Sequence, residues 1–80
     1  MAVTVHVRGH KVTTRSPRRY LVVAVRPEPV TDPEHGTYVA FAEIRKRTDS
    51  HTVAKNTARR LGRFNGGFHV VVDTVTKEEV

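Results

Sequence analysis

An uninterrupted apolar run, Tyr20-Leu-Val-Val-Ala-Val25, bounded by Arg19 and Arg26, is the feature that most limits how this chain can fold. Its β-branched content suits an extended backbone, and its polar ends suit a central strand. Pro17 limits the chain just before that strand. The rest of the protein must organise around it, because 80 residues make a single domain, 1–80, with one core. The chain contains no cysteine, so neither a disulfide framework nor a thiolate zinc site can assist that core. Burial of apolar surface has to hold the fold.

The flanking segments supply the remaining elements. Val3 to Val7 sets valines at alternate positions, the pattern of a half-buried strand, and Arg8-Gly9-His10-Lys11 reads as a turn. Val12 to Thr14 then returns as the short arm of a hairpin or stands as a ragged edge strand. Pro27, Pro29, Asp32, Pro33 and Gly36 punctuate an exposed loop of about ten residues. Tyr38 to Arg47 resumes extended structure, with Tyr38, Ala40, Ala42 and Ile44 on one face and Val39, Phe41, Glu43 and Arg45 on the other.

A helix follows. Thr48, Asp49 and Ser50 are all competent N-caps. At roughly 100° per residue, Val53, Ala54, Thr57, Ala58 and Leu61 fall in one stripe that faces the core. Thr52, Lys55, Asn56, Arg59 and Arg63 fall opposite, so the outer face is basic. Gly62 ends the helix, and Arg59, Arg60 and Arg63 lie where cations favour the negative end of its dipole. Asn65-Gly-Gly67 forms a turn, Phe68 to Thr76 a final strand, and 77–80 a frayed tail.

The expected fold is α+β in the order β-β-β-α-β, a mostly antiparallel sheet of four to five strands with one helix packed on one face. Whether the last strand pairs parallel to the strand before the helix stays open. The uncovered sheet face would expose Tyr20, Val22, Val39 or Phe41, depending on register. An apolar patch there would invite a partner protein or a second copy of the chain, a homodimer.

The net charge of +6 is segregated along the chain. Residues 1–26 carry six basic and no acidic side chains, and 27–44 carry four acidic and no basic ones. Residues 45–63 then hold seven basic against one acidic. Such segregation creates a directional field that attracts polyanions. No segment approaches a membrane span and Met1 to Val7 does not look like a signal peptide, so a cytoplasmic setting without membrane contact is expected.

Catalytic constellations find little support. His6 and His10 are four apart, but in a strand and turn that spacing does not bring them together on a metal. His51 and His69 could act as general bases, yet no serine or cysteine arrangement accompanies them. Glu43-Ile-Arg-Lys46 matches the acid-x-lysine pairing of metal-dependent nucleases only over four residues, and Asn65-Gly-Gly67 precedes a strand, so it lacks the dipole of a phosphate loop. No cofactor, metal or enzymatic activity is expected.

The stretch Arg45-Lys-Arg-Thr-Asp-Ser-His-Thr-Val-Ala-Lys-Asn-Thr-Ala-Arg-Arg-Leu-Gly62, followed by the valine-rich residues 70–76, resembles a layout of small uncharacterised proteins from bacteriophages of high-GC bacteria. The resemblance implies a phage or bacterial cytoplasmic setting and assigns no catalytic residue.

Three functional expectations follow. The leading one is a non-catalytic protein that engages DNA or RNA through phosphate contacts from Arg18, Arg19, Arg45, Arg47, Lys55, Arg59 and Arg63, with little sequence preference. Its aromatics are expected mostly in the core, so unpaired strand is not the favoured ligand. The second is a phage-type modulator that binds an acidic host protein through an edge strand or the open sheet face. The third is a small ribonuclease-like toxin using His51, His69 and an arginine.

Overall fold

The computed structural model describes residues 2–15 and 18–80, and Pro17 lies outside the described residues together with Met1 and Ser16. The apolar run becomes β3, Tyr20–Arg26, in which Leu21 to Val25 are completely buried. It is one of the two interior strands of a four-stranded antiparallel sheet ordered β6-β3-β7-β8. β6 spans Phe41–Thr48, β7 spans Phe68–Asp73 and β8 is the pair Glu78–Glu79. The helix α1, His51–Leu61, connects β6 to β7 by crossing over β3. β7 therefore pairs with β3 rather than with β6, the strand before the helix.

A strand buried throughout needs cover on both faces. On one face α1 lays Ala54 and Ala58 against Val22 and Val71, with Tyr20 at the margin. On the other lies a separate hairpin of β1, Val3–Val7, and β2, His10–Thr14, joined by a two-residue turn at Arg8 and Gly9. Both turn residues have positive φ, 49° and 84°, the primed-turn geometry that matches strand twist. The hairpin contributes Val5, Val7 and Val12 to a core shared with Leu21, Val23, Val25 and Val72. The α+β class and antiparallel pairing are as expected, but the single sheet of four to five strands is not. The first two strands leave the sheet because their valines are needed as its second cover. The open sheet face proposed for a partner or a second copy is occupied by this hairpin.

Three further departures have local causes. The proline-rich loop contains a small hairpin of β4, Val30–Asp32, and β5, Gly36–Tyr38, whose turn is organised by Asp32 accepting the backbone N–H of Glu34 at 2.8 Å. In β6 a bulge shifts register between the partners of Val22 and Val23. Strict alternation would turn Lys46 to the same side as Ala42 and Ile44; the extra residue, Arg45, puts Lys46 opposite Val22 and Arg47 opposite Leu21. Residues 77–80 are not frayed. β8 pairs with β7, the Val80 N–H donates to the Val71 carbonyl at 2.9 Å, and Arg8 grips Glu79 through two bonds of 2.8 and 3.0 Å.

The final strand stops at Asp73, short of the expected Thr76, because Asp73 closes a turn. Its side chain accepts the Val75 N–H at 2.8 Å and its carbonyl accepts Lys77 N–H at 2.7 Å. At this end of β3 the Arg19 guanidinium also reaches Asp73, at 3.2 Å, while Asp49 accepts the Arg19 N–H at 2.9 Å and pairs with Arg18 at 2.9 Å. Helix α1 begins here too, with Ser50 Oγ accepting the Val53 N–H at 3.2 Å. Its buried stripe is narrower than the wheel suggests: Ala54 and Thr57 are buried, whereas Val53 and Leu61 remain 41% and 42% exposed. Alanines at the contact let the helix lie close to the sheet, which leaves the bulkier flanking residues outside the seam.

At the far end of α1 the chain turns sharply through Phe64 and Gly67, whose backbones exchange hydrogen bonds of 3.1 and 2.8 Å. A Cβ on Gly67 would lie 2.2 Å from the Phe64 ring and 2.8 Å from the Val25 carbonyl oxygen. Gly67→Ala should therefore cost about 1–3 kcal/mol and lower the melting temperature by about 4 °C or more. An unchanged thermal midpoint would show that the ring is free to move aside.

The acid dependence of stability follows from the opposite end. The Asp49 carboxyl is held below its ordinary range by the Arg19 N–H and then the Arg18 guanidinium; that of Asp73 is held down by the Val75 N–H and then Arg19, against the effect of burial. Folding lowers both values, so the ionised carboxylates stabilise the fold above the ordinary range near about pH 4, and that contribution disappears as pH falls through the lowered values. Melting measured from about pH 7 down to about pH 3 should be flat at first and then decline, with a shallower decline for Asp73→Asn. An identical acid profile for that variant would contradict the assignment.

Candidate functional site

The seven basic side chains singled out from the sequence do not form one patch. Arg18 and Arg19 sit at the start of β3 and are committed to Asp49 and Asp73. Arg19 also lies over the Tyr20 ring, 5.5 Å from its centroid, and its charge is reinforced by the hydrogen bond to Asp73. Arg45, at the bulge, pairs with Glu43 at 3.4 Å. Arg47 donates to Thr14 Oγ1 at 2.8 Å and thereby ties the edge strand to the hairpin. All four are on or near β6 and the first residues of β3, where each has a structural partner.

Lys55, Arg59 and Arg63 belong to a different region. Lys55 donates to the Val80 carbonyl at 3.0 Å, so it leans over the β7–β8 side of the sheet, the edge opposite β6. Arg59 borders the same side. Arg63 lies one residue beyond the helix-ending Gly62. Among the described residues Arg59 and Arg63 have no hydrogen-bond or ion-pair partner, and neither does Arg60. No acidic residue occurs between His51 and Arg63, so nothing on the helix offsets these charges.

Two depressions flank this basic helix face. One, of about 760 Å³, is bordered by Ala58, Arg63, Phe64, Phe68 and His69. The other, of about 360 Å³, is bordered by Lys55, Ala58, Arg59, His69 and Glu79. They lie side by side along the helix, with Ala58 and His69 bordering both. His69 is fixed within them: its Nδ1 is 2.6 Å from the Gly62 carbonyl, which can only accept, so Nδ1 carries the hydrogen. Its ring meets Phe64 edge-on, with centroids 5.5 Å apart.

Behind Phe64 is Arg26, only 8% exposed at the end of β3. Its guanidinium lies 5.1, 5.2 and 5.3 Å from the centroids of Tyr38, Phe41 and Phe64. It donates to the carbonyls of Asn65, at 2.6 Å, and Val39, at 3.0 Å. No carboxylate is among its partners. This cage joins the β4–β5 hairpin, the start of β6 and the 64–67 turn, and it seats the Phe64 ring beside the depression. No sequence spacing signals it, since the three rings come from separate segments. The sequence offers His69 only as a candidate general base and places Phe64 with the core; the one cue to their neighbouring positions is aromatic residues on either side of a Gly-Gly turn directly after a basic helix end.

The geometry also bears on the catalytic alternatives. His51 stacks on Tyr20, centroids 5.1 Å apart, at the start of α1, while His69 is bonded to the residue that ends it. The helix of 11 residues keeps them about 16 Å apart, so they cannot serve as paired acid and base on one bond. Glu43 is engaged by Arg45, and no group of three or more metal-ligating side chains occurs among the described residues. Among those residues, too, no helix is long and apolar enough to cross a membrane. The edge strand β6 is blunted by its bulge and by Arg45, Lys46 and Arg47, features that discourage strand addition. No protein-family model, curated protein or solved structure matches the chain.

Proposed function

We infer that this protein is a small non-catalytic module that binds nucleic acid through phosphate contacts, with little sequence preference. The contacts come from the helix and its flank rather than from all seven cations proposed from the sequence. One observation carries the reading: Arg59 on the helix and Arg63 just beyond its end are exposed and without counter-ions among the described residues, in a stretch from His51 to Arg63 that contains no acid. A cation already bonded to a carboxylate gains less from a phosphate, because it must break the first pair to form the second. Arg18, Arg19 and Arg45 are in that position.

The helix suits the task mechanically. Its inner side is anchored by Ala54 and Thr57, and its outer side chains make no contribution to the core. Phosphate contacts from such a rigid element release counterions and make affinity fall steeply with salt. Replacing Arg59 and Arg63 together by glutamate should leave the protein folded, with a melting temperature lower by only a few degrees because both cations sit at the negative end of the helix dipole. The same change should reduce the slope of log affinity against log salt by about two. Replacing Arg45 and Arg47 should have a much smaller effect on that slope. Equal losses from the two pairs, or an affinity indifferent to salt, would overturn the reading.

A further inference from the structure

The trough beside α1 has properties that a simple charged surface lacks. Its helix wall is basic, with Lys55 and Arg59 one turn apart, about 6 Å, and Arg63 beyond them. Its far end is bordered by two half-buried rings, Phe64 and His69. Phe68 also borders it, although that ring packs with the hairpin core on the other face of the sheet. We propose that this trough holds an unpaired nucleic-acid strand, with a base against Phe64 and His69 and the adjoining phosphates on Arg59 and Arg63. The proposal rests on the phosphate-binding reading above and narrows its ligand from nucleic acid in general to single strand.

Charge complementarity supports the occupant. The one carboxylate side chain bordering the trough, Glu79, has both oxygens taken by Arg8 at 2.8 and 3.0 Å, so it presents no free anion to repel a phosphate. Arg26, held 5.3 Å from the Phe64 ring centroid without any carboxylate partner, adds an uncompensated positive charge close to the base end. Bases stack on aromatic rings with little regard to their identity, which agrees with weak sequence preference. With Nδ1–H committed to Gly62, His69 has Nε2 left to meet a polar edge of the base.

Width argues against a duplex in the same place. The trough is the angle between one helix and the sheet it packs on, elements about 10 Å apart, and the rings lie inside that angle. A paired base has its faces covered by its neighbours and cannot reach them. A duplex could engage the outer arginines alone, and its affinity would then owe nothing to Phe64 or His69.

The test uses the unaltered full-length protein and three probes of equal length: oligothymidylate, oligouridylate, and an abasic oligodeoxynucleotide that keeps the phosphates and lacks the bases. At one low salt concentration, followed by fluorescence anisotropy, the base-bearing strands should bind at least about tenfold more tightly than the abasic one. His69→Ala and Phe64→Leu, each with its melting temperature checked, should shrink that ratio toward one while leaving abasic binding unchanged. Equal affinity for abasic and base-bearing strands would overturn this proposal and leave phosphate binding intact, as would tighter binding of a duplex of the same length. Absence of binding to every probe and to duplex would overturn both.

Discussion

The burial of β3 on both faces governs everything else in the molecule. Leu21, Val23 and Val25 face one way and Val22 and Ala24 the other, and all are sealed from water. Two neighbouring strands satisfy the backbone, but neither can cover a face. A single helix covers one side, and the N-terminal hairpin, whose valines alternate toward the sheet, covers the other. Its valines at 3, 5 and 7 thus serve as a lid over a sheet to which they do not belong. The result is three layers, helix, sheet and hairpin, in which both faces of the sheet are covered.

Much of this was legible from periodicity and capping. The central strand, the alternating first strand, the capped helix and the strand that follows it each leave a local mark that the structure reproduces, and of the two readings left open for Val12 to Thr14 it takes the hairpin, with a turn of Arg8 and Gly9 alone. What was not legible depends on contacts between distant segments. Nothing near Val3 says whether its strand joins the sheet or lies across it, because the alternating pattern is the same in either case. The bulge at Arg45 has no sequence signature, since the extra residue is an ordinary one, yet it decides which way Lys46 and Arg47 point. The tail is held by partners distant in sequence, Arg8, 71 positions earlier, on Glu79 and Lys55 on Val80, besides its pairing with β7.

The candidate site divides in the same way. Which residues are charged can be counted, and the segregation into blocks is real along the chain. In space, however, Asp49 and Asp73 fold back to the arginines at the start of β3, and Glu43 turns to Arg45, so part of the positive excess is spent internally. The acids of the proline-rich loop take no share: Asp32 turns to its own neighbour His35, at 3.2 Å. A linear charge map therefore overstates the surface available to a polyanion and misses where aromatic rings adjoin what is left. A phenylalanine is expected in the core, and the Gly67 turn against its ring together with the Arg26 cage explains the place of Phe64 at the rim.

The two ends of β3 are fastened by different chemistry. At Tyr20 the fastening is carboxylate to guanidinium and amide, involving Asp49 and Asp73. At Arg26, about 20 Å along the strand, it is peptide carbonyls and ring faces, none of which can accept a proton in ordinary acid. Acidification thus releases the start of the helix from the chain that enters the sheet, and separately loosens the small β4–β5 turn, where the Glu34 N–H and then His35 hold the Asp32 carboxyl low. The aromatic pole, with the trough beside it, stays clamped, so loss of overall cohesion and loss of that surface need not coincide.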